Sequence, residues 1–122
     1  MSKRALVVDD SETMRSLLKF AIARIPDMTH DEAVDGADAL VKLEAGQYDV
    51  VLLDLNMPRM NGIELLTALR AHETLKNIPV IMITTESSDR ERLLSLGASA
   101  FLPKPVQAKG VVATINQVLS GQ

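Results

Sequence analysis

Three apolar runs in this chain each end on polar residues: Ala5-Leu6-Val7-Val8 on Asp9-Asp10, Val50-Val51-Leu52-Leu53 on Asp54, and Val80-Ile81-Met82-Ile83 on Thr84-Thr85. Runs of about four β-branched or leucine residues are the pattern of strands covered by helices on both faces. In an open parallel sheet the carboxyl ends of such strands face one crevice, which would then hold Asp9, Asp10 and Asp54 together. An acidic pair ahead of Ser11-Glu12 also looks like a helix N-cap. Asp54 does not, because Leu55-Asn56-Met57-Pro58 follows it with no helix to cap at once. Three carboxylates in one cleft repel one another unless a cation neutralises them. Oxygen-only ligands select a hard cation such as Mg²⁺, which keeps waters and needs only a few carboxylates. Lys104, just beyond the last short apolar run, brings a second positive charge to the same edge of the sheet, on a backbone restricted by Pro105.

Positioning these groups requires strands alternating with helices. A shorter run, Ala100-Phe101-Leu102, ends at Pro103, as suits an edge strand. The polar stretch Met28 to Val34 falls by position at the opposite edge, where Asp31 and Glu32 would discourage pairing with another sheet. Helical spacing recurs in Met14, Leu17, Leu18, Ala21 and Ile25, in Ala37, Leu40, Val41 and Leu43, and in Ile63, Leu66 and Leu69. Asn61 with Glu64 and Ser88 with Glu91 have the form of capping boxes, and Gly97 supplies a left-handed stop. The last helix falls within Gln107 to Leu119, although Gly110 near its start costs roughly 1 kcal/mol relative to alanine. The expectation is an α/β, doubly wound parallel sheet forming one domain over residues 1–122.

Composition narrows the functions such a domain can have. Of 122 residues 47% are hydrophobic, so the chain can bury a core without disulfides, and it has no cysteine. With two phenylalanines, one tyrosine and no tryptophan, it lacks stacking platforms for nucleobases or flavins. The net charge is -3 and no basic run exceeds Lys3-Arg4, which argues against direct nucleic-acid binding. No stretch approaches the roughly 18–20 apolar residues of a membrane span, and no signal-peptide core is present, so a cytoplasmic protein is expected. Neither His30 nor His72 has metal-ligand spacing, and both read as surface residues.

Asp9-Asp10, Asp54 with Met57-Pro58 and Gly62, Thr84, and Lys104-Pro105 together resemble the ordered motif set of receiver domains of bacterial response regulators, over essentially the whole chain. The resemblance implies five parallel strands in the order 2-1-3-4-5 with helices on both faces. It implies that Asp54 accepts a phosphoryl group from a sensor histidine kinase, with Lys104 assisting. It also implies that Mg²⁺ is held by Asp9, Asp10, Asp54 and the backbone carbonyl of Asn56. Thr84 and Phe101 match the switch residues, and Asn56 and Glu86 match positions that tune phosphate lifetime. The downstream target would bind the face made by the fourth helix, fifth strand and fifth helix, where Arg90, Arg92, Ser95 and Lys109 are candidate contacts, and a phosphatase is a further possible partner. Ser11-Glu12-Thr13-Met14-Arg15 and Thr84-Thr85-Glu86 resemble chemotaxis-type receivers that act alone. A receiver cut from a multidomain transcription factor or enzyme, or a phosphorelay intermediate outside chemotaxis, is the alternative. Thr85 is bulkier than the residue usual beside Glu86, and Val106 stands where the family often has phenylalanine.

Two rivals share parts of this pattern. Aspartate-nucleophile phosphatases resemble one another in an Asp-x-Asp pair, but Asn56 occupies the second place here, which argues against a turnover enzyme. A flavodoxin-like cofactor binder needs a phosphate-cradling loop after the first strand, and Asp9-Asp10 would repel that phosphate.

Overall fold

Five parallel strands form the centre of the structure, a computed structural model that describes residues 2–85 and 89–121. The elements alternate: β1 (Lys3–Val8), α1 (Glu12–Ile22), β2 (Met28–Ala33), α2 (Gly36–Ala45), β3 (Val50–Asp54), α3 (Gly62–Ala71), β4 (Val80–Thr84), α4 (Arg90–Ser95), β5 (Ala100–Pro103) and α5 (Ala108–Ser120). The strand order is β2-β1-β3-β4-β5, the doubly wound topology.

The period-two geometry of a strand sends alternate side chains to opposite faces, and here it divides the interior into two cores. Leu6, Val8, Val51, Leu53, Val80 and Met82 pack with Leu43 of α2, Leu65, Leu66 and Leu69 of α3, and Leu93 of α4. Ala5, Val7, Val50, Leu52, Ile81 and Ile83 pack with Leu18, Ala21 and Ile22 of α1 and Val111, Ile115 and Val118 of α5. Every residue of β3 and β4 is buried, which is why those runs carry no polar residue before the last position.

The polar strand at Met28–Ala33 is present, hydrogen-bonded on one side only. Its charges are paired within the molecule. Asp31 takes Arg4 and the Tyr48 hydroxyl, and Glu32 takes Arg15 at 2.9 Å and Lys19 at 3.0 Å.

The cap of α1 is Ser11, whose side chain accepts the Met14 N–H at 3.2 Å, so Asp9 and Asp10 are left for other work. Asn61 and Glu64 form the expected capping box, and Gly97 takes its left-handed stop at φ +110°. Ser88 lies outside the described residues; α4 follows Asp89, which makes no side-chain cap hydrogen bond.

Two helices differ in phase from the spacing read in the sequence. In α2 the buried residues are Gly36, Ala39 and Leu43, while Val41 is 65% exposed and Ala37 is also exposed. The Asp35 cap sets where α2 starts, and from that start Val41 turns to solvent. In α1 Leu17 is exposed, Ile22 is buried, and the helix ends before Ile25.

These burial differences give a direct test by urea unfolding. Leu52→Ala, in the middle of β3, should cost about 2–5 kcal/mol. Val41→Ala should stay within about 0.5 kcal/mol of the wild type. Equal effects would contradict the phase assigned to α2.

Candidate functional site

The carboxyl ends of β1, β3 and β4 meet as the topology requires. Asp9 and Asp54 are 1% and 3% exposed, Thr84 is 1% exposed, and Asp10 is open to solvent. One carboxylate oxygen from each of Asp9, Asp10 and Asp54 lies within 4.8 Å of the others. Asp9 Oδ1 accepts the Ser11 N–H at 2.8 Å, but Asp9 Oδ2 is buried with no hydrogen-bond partner among the described residues. Such an orphaned acceptor costs about 1–3 kcal/mol. A hard cation would satisfy it and neutralise the cluster, so the donor set fits a small divalent metal.

Lys104 closes the other side. Its Nζ donates to Asp54 Oδ1 at 2.8 Å, and its backbone N–H donates to the Thr84 carbonyl at 2.9 Å. The Lys104–Pro105 peptide is cis.

The electrostatics follow from this crowding. Burial pushes the Asp9 carboxyl up to about 6, with the Asp54 and Asp10 charges adding to the rise and the Ser11 N–H and Lys104 opposing it. Asp54 is also raised, first by burial and then by Asp10, against the pull of Lys104 and the Asn56 N–H.

Two further contacts hold the frame. Arg15 donates through Nη1 to the Asp9 carbonyl at 2.8 Å and through Nε to Glu32, while the Asp9 N–H donates to Ala33 O at 3.1 Å. The backbone of Asp9 is therefore fixed from both sides. Arg15 was not assigned this part from sequence; its signal was a cation near the amino end of a helix, where the macrodipole disfavours one. After β3, the Gly62 N–H donates to Leu55 O at 2.9 Å, and a Cβ on Gly62 would lie 2.5 Å from the Asp54 carbonyl. Only glycine permits that turn.

The response regulator receiver domain family matches this chain over residues 5–116. The chain belongs to that family. It is 36% identical over 118 residues to the chemotaxis protein CheY of Pseudomonas aeruginosa, covering 94% of each. It is 37% identical to CheY-3 of Vibrio cholerae, covering 94% of this chain and 90% of the relative. Among solved structures, the chemotaxis response regulator CheY4 of Vibrio cholerae superposes with a TM-score of 0.89 at 31% identity, over 98% of this chain and all (100%) of that one.

The remaining candidate residues of this receiver domain are distributed as follows. Asn56 is exposed on the loop after Asp54, and Glu86 lies outside the described residues. Phe101 is half-buried on β5, packed towards the α3–α4 core and lining a cleft of about 510 Å³ with Arg90, Leu94, Thr114 and Gln117. Arg90, Arg92, Ser95 and Lys109 are exposed. His30 is exposed, and His72 caps α3 with Nε2 3.2 Å from Glu44, so neither histidine enters the cluster. Among the described residues no helix is long and apolar enough to cross a membrane.

If burial and mutual repulsion of the carboxylates destabilise the metal-free receiver, Asp9→Asn should stabilise it by about 1–3 kcal/mol at neutral pH. Thermal unfolding checks this, and added Mg²⁺ should then raise the Tm of the wild type but not that of the variant.

Proposed function

We propose that this receiver domain, residues 1–122 acting as one unit, accepts a phosphoryl group on Asp54 from a sensor histidine kinase and signals by protein contact. The observation that carries this reading is the pairing of Asp54 with Lys104 at 2.8 Å on one side and with the Asp9–Asp10 carboxylates on the other. A nucleophile for phosphoryl transfer needs that arrangement, because catalysis here is mainly positioning and neutralisation of phosphoryl charge.

A carboxylate oxygen of Asp54 attacks the phosphorus of a phosphohistidine. A P–O bond forms to Asp54 as the P–N bond breaks, and the imidazole departs with the electron pair and takes a proton from solvent. Lys104 presents its ammonium to a phosphoryl oxygen. Asp9, Asp10, Asp54 and the Asn56 carbonyl would hold Mg²⁺, which when bound supplies positive charge to the phosphoryl oxygens. Thr84, on the strand beside β3, donates its hydroxyl to a phosphoryl oxygen, and Phe101 moves inward as it does so. Because Phe101 lines the cleft between α4 and α5, its movement changes the α4-β5-α5 face, where the target docks. Asn56 and Glu86, at the positions that tune phosphate lifetime in receiver domains, set how long the acyl phosphate lasts, and a phosphatase would shorten it.

Chemotaxis is the favoured pathway, supported by two chemotaxis relatives at 36% and 37% identity. Such a receiver works in the cytoplasm, without inserting into membranes or binding nucleic acid directly.

Acetyl phosphate with Mg²⁺ should add one phosphoryl group, seen by intact mass, and both Asp54→Ala and a chelator should abolish it. Failure of the wild type to gain the group, or its persistence in Asp54→Ala, overturns the assignment. A panel of labelled histidine kinases then identifies the donor as the one that loses its label fastest.

A further inference from the structure

The loop between β3 and α3 carries the Asn56 carbonyl and leaves directly from Asp54, so its conformation decides where those oxygens stand. Two of its residues, Arg59 at φ 44° and Met60 at φ 68°, occupy the left-handed region that L side chains disfavour. Such a conformation persists only where the surroundings over-determine it. The surroundings here are the turn between β2 and α2, which sequence reasoning left unassigned.

Asp35, at that turn, is 1% exposed. Its Oδ1 accepts the Asp38 N–H at 2.8 Å, capping α2. Its Oδ2 accepts both Nε of Arg59 at 2.9 Å and Nη2 at 2.5 Å. The next residue continues the contact: the Gly36 N–H donates to the Met60 carbonyl at 3.1 Å, and a Cβ on Gly36 would stand 2.4 Å from that oxygen. A side chain, a backbone amide and a glycine thus converge on the two left-handed residues.

Capping alone does not explain this. An N-cap needs one acceptor oxygen, and asparagine serves as well as aspartate. The second oxygen of this buried carboxylate takes its positive partner from Arg59, whose own side chain is 76% exposed and reaches inward to meet it. An ion pair between two solvated side chains would count for little, but here one partner is desolvated and the contact joins two loops.

We propose that Asp35 and Arg59 are a positioning pair, holding the β3–α3 loop in the conformation that presents the Asn56 carbonyl and Asp54 to the divalent cation. This rests on the reading of the Asp9–Asp10–Asp54 cluster as a metal site. Partners behind the ligands of a metal site typically affect affinity 10–100-fold, and this pair acts in that way.

Asp35→Asn and Arg59→Gln separate the cap from the clamp, since both leave an acceptor for the Asp38 N–H. Mg²⁺ titration by calorimetry on unphosphorylated protein should show roughly tenfold weaker binding in each, and a double variant no weaker than either single one. Amide hydrogen exchange should accelerate at Gly36, while the β3 amides keep wild-type protection. Wild-type Mg²⁺ affinity and Gly36 protection in Arg59→Gln would overturn the pair while leaving the metal site intact. Absence of Mg²⁺ binding by the wild type itself would overturn the metal site and the pair together. Since Arg59 is exposed, that variant carries the test if Asp35→Asn does not fold.

Discussion

Bringing three carboxylates within 4.8 Å of one another, two of them in buried side chains, is electrostatically unfavourable, and the rest of the site can be understood as the means of tolerating it. Folding has to supply that energy from elsewhere, which the two aliphatic cores on either face of the sheet do. The protein supplies only part of the compensation itself: the Lys104 ammonium and the Asn56 amide on Asp54, and the Ser11 amide on Asp9. A site left under-neutralised in this way is poised for a cation and for an anion that the cation and lysine can share. The same imbalance that lowers stability would favour a cation in the cluster.

The sheet explains why the acids gather at one edge. Parallel strands direct all their carboxyl ends the same way, and the order β2-β1-β3-β4-β5 places β1 beside β3 at the point where the winding reverses. Asp54 and Thr84 are each the last residue of a fully buried strand, so strand packing places their backbones. A slip of one residue in register would exchange the two cores as well as misplace the carboxylates. Preserving the hydrophobic alternation therefore preserves the site.

Much of this was legible because the signals are local. Apolar runs ending in Asp or Thr are visible without knowing what packs on them, and so are the Asn61–Glu64 box and the Gly97 stop. The rest depends on neighbours distant in sequence. Apolar spacing alone puts Val41 and Leu43 on one face of α2; the cap at Asp35 sets a phase that buries Leu43 and turns Val41 to solvent. The acids of β2 read as solvent-facing deterrents, yet Glu32 is held by Arg15 and Lys19 from α1, which no spacing within β2 reveals. The Asp35–Arg59 contact spans two loops, and each residue alone looks like an ordinary turn residue.

Among the described residues, the side-chain hydrogen bonds that anchor α4 gather at its carboxyl end. At the carboxyl end Arg70, itself partly buried, donates from Nε and Nη2 to the Gly97 carbonyl at 2.9 and 2.8 Å and from Nη1 to Ile78 O at 2.7 Å. A guanidinium satisfied by carbonyls ties the end of α4 to α3 and to the segment entering β4. At the amino end Asp89 makes no side-chain cap hydrogen bond, and the helix is only 6 residues long. Short helices without caps are marginal by themselves. Among the described residues, the buried Leu93 and the Arg70 contacts at the carboxyl end are what hold α4 in place.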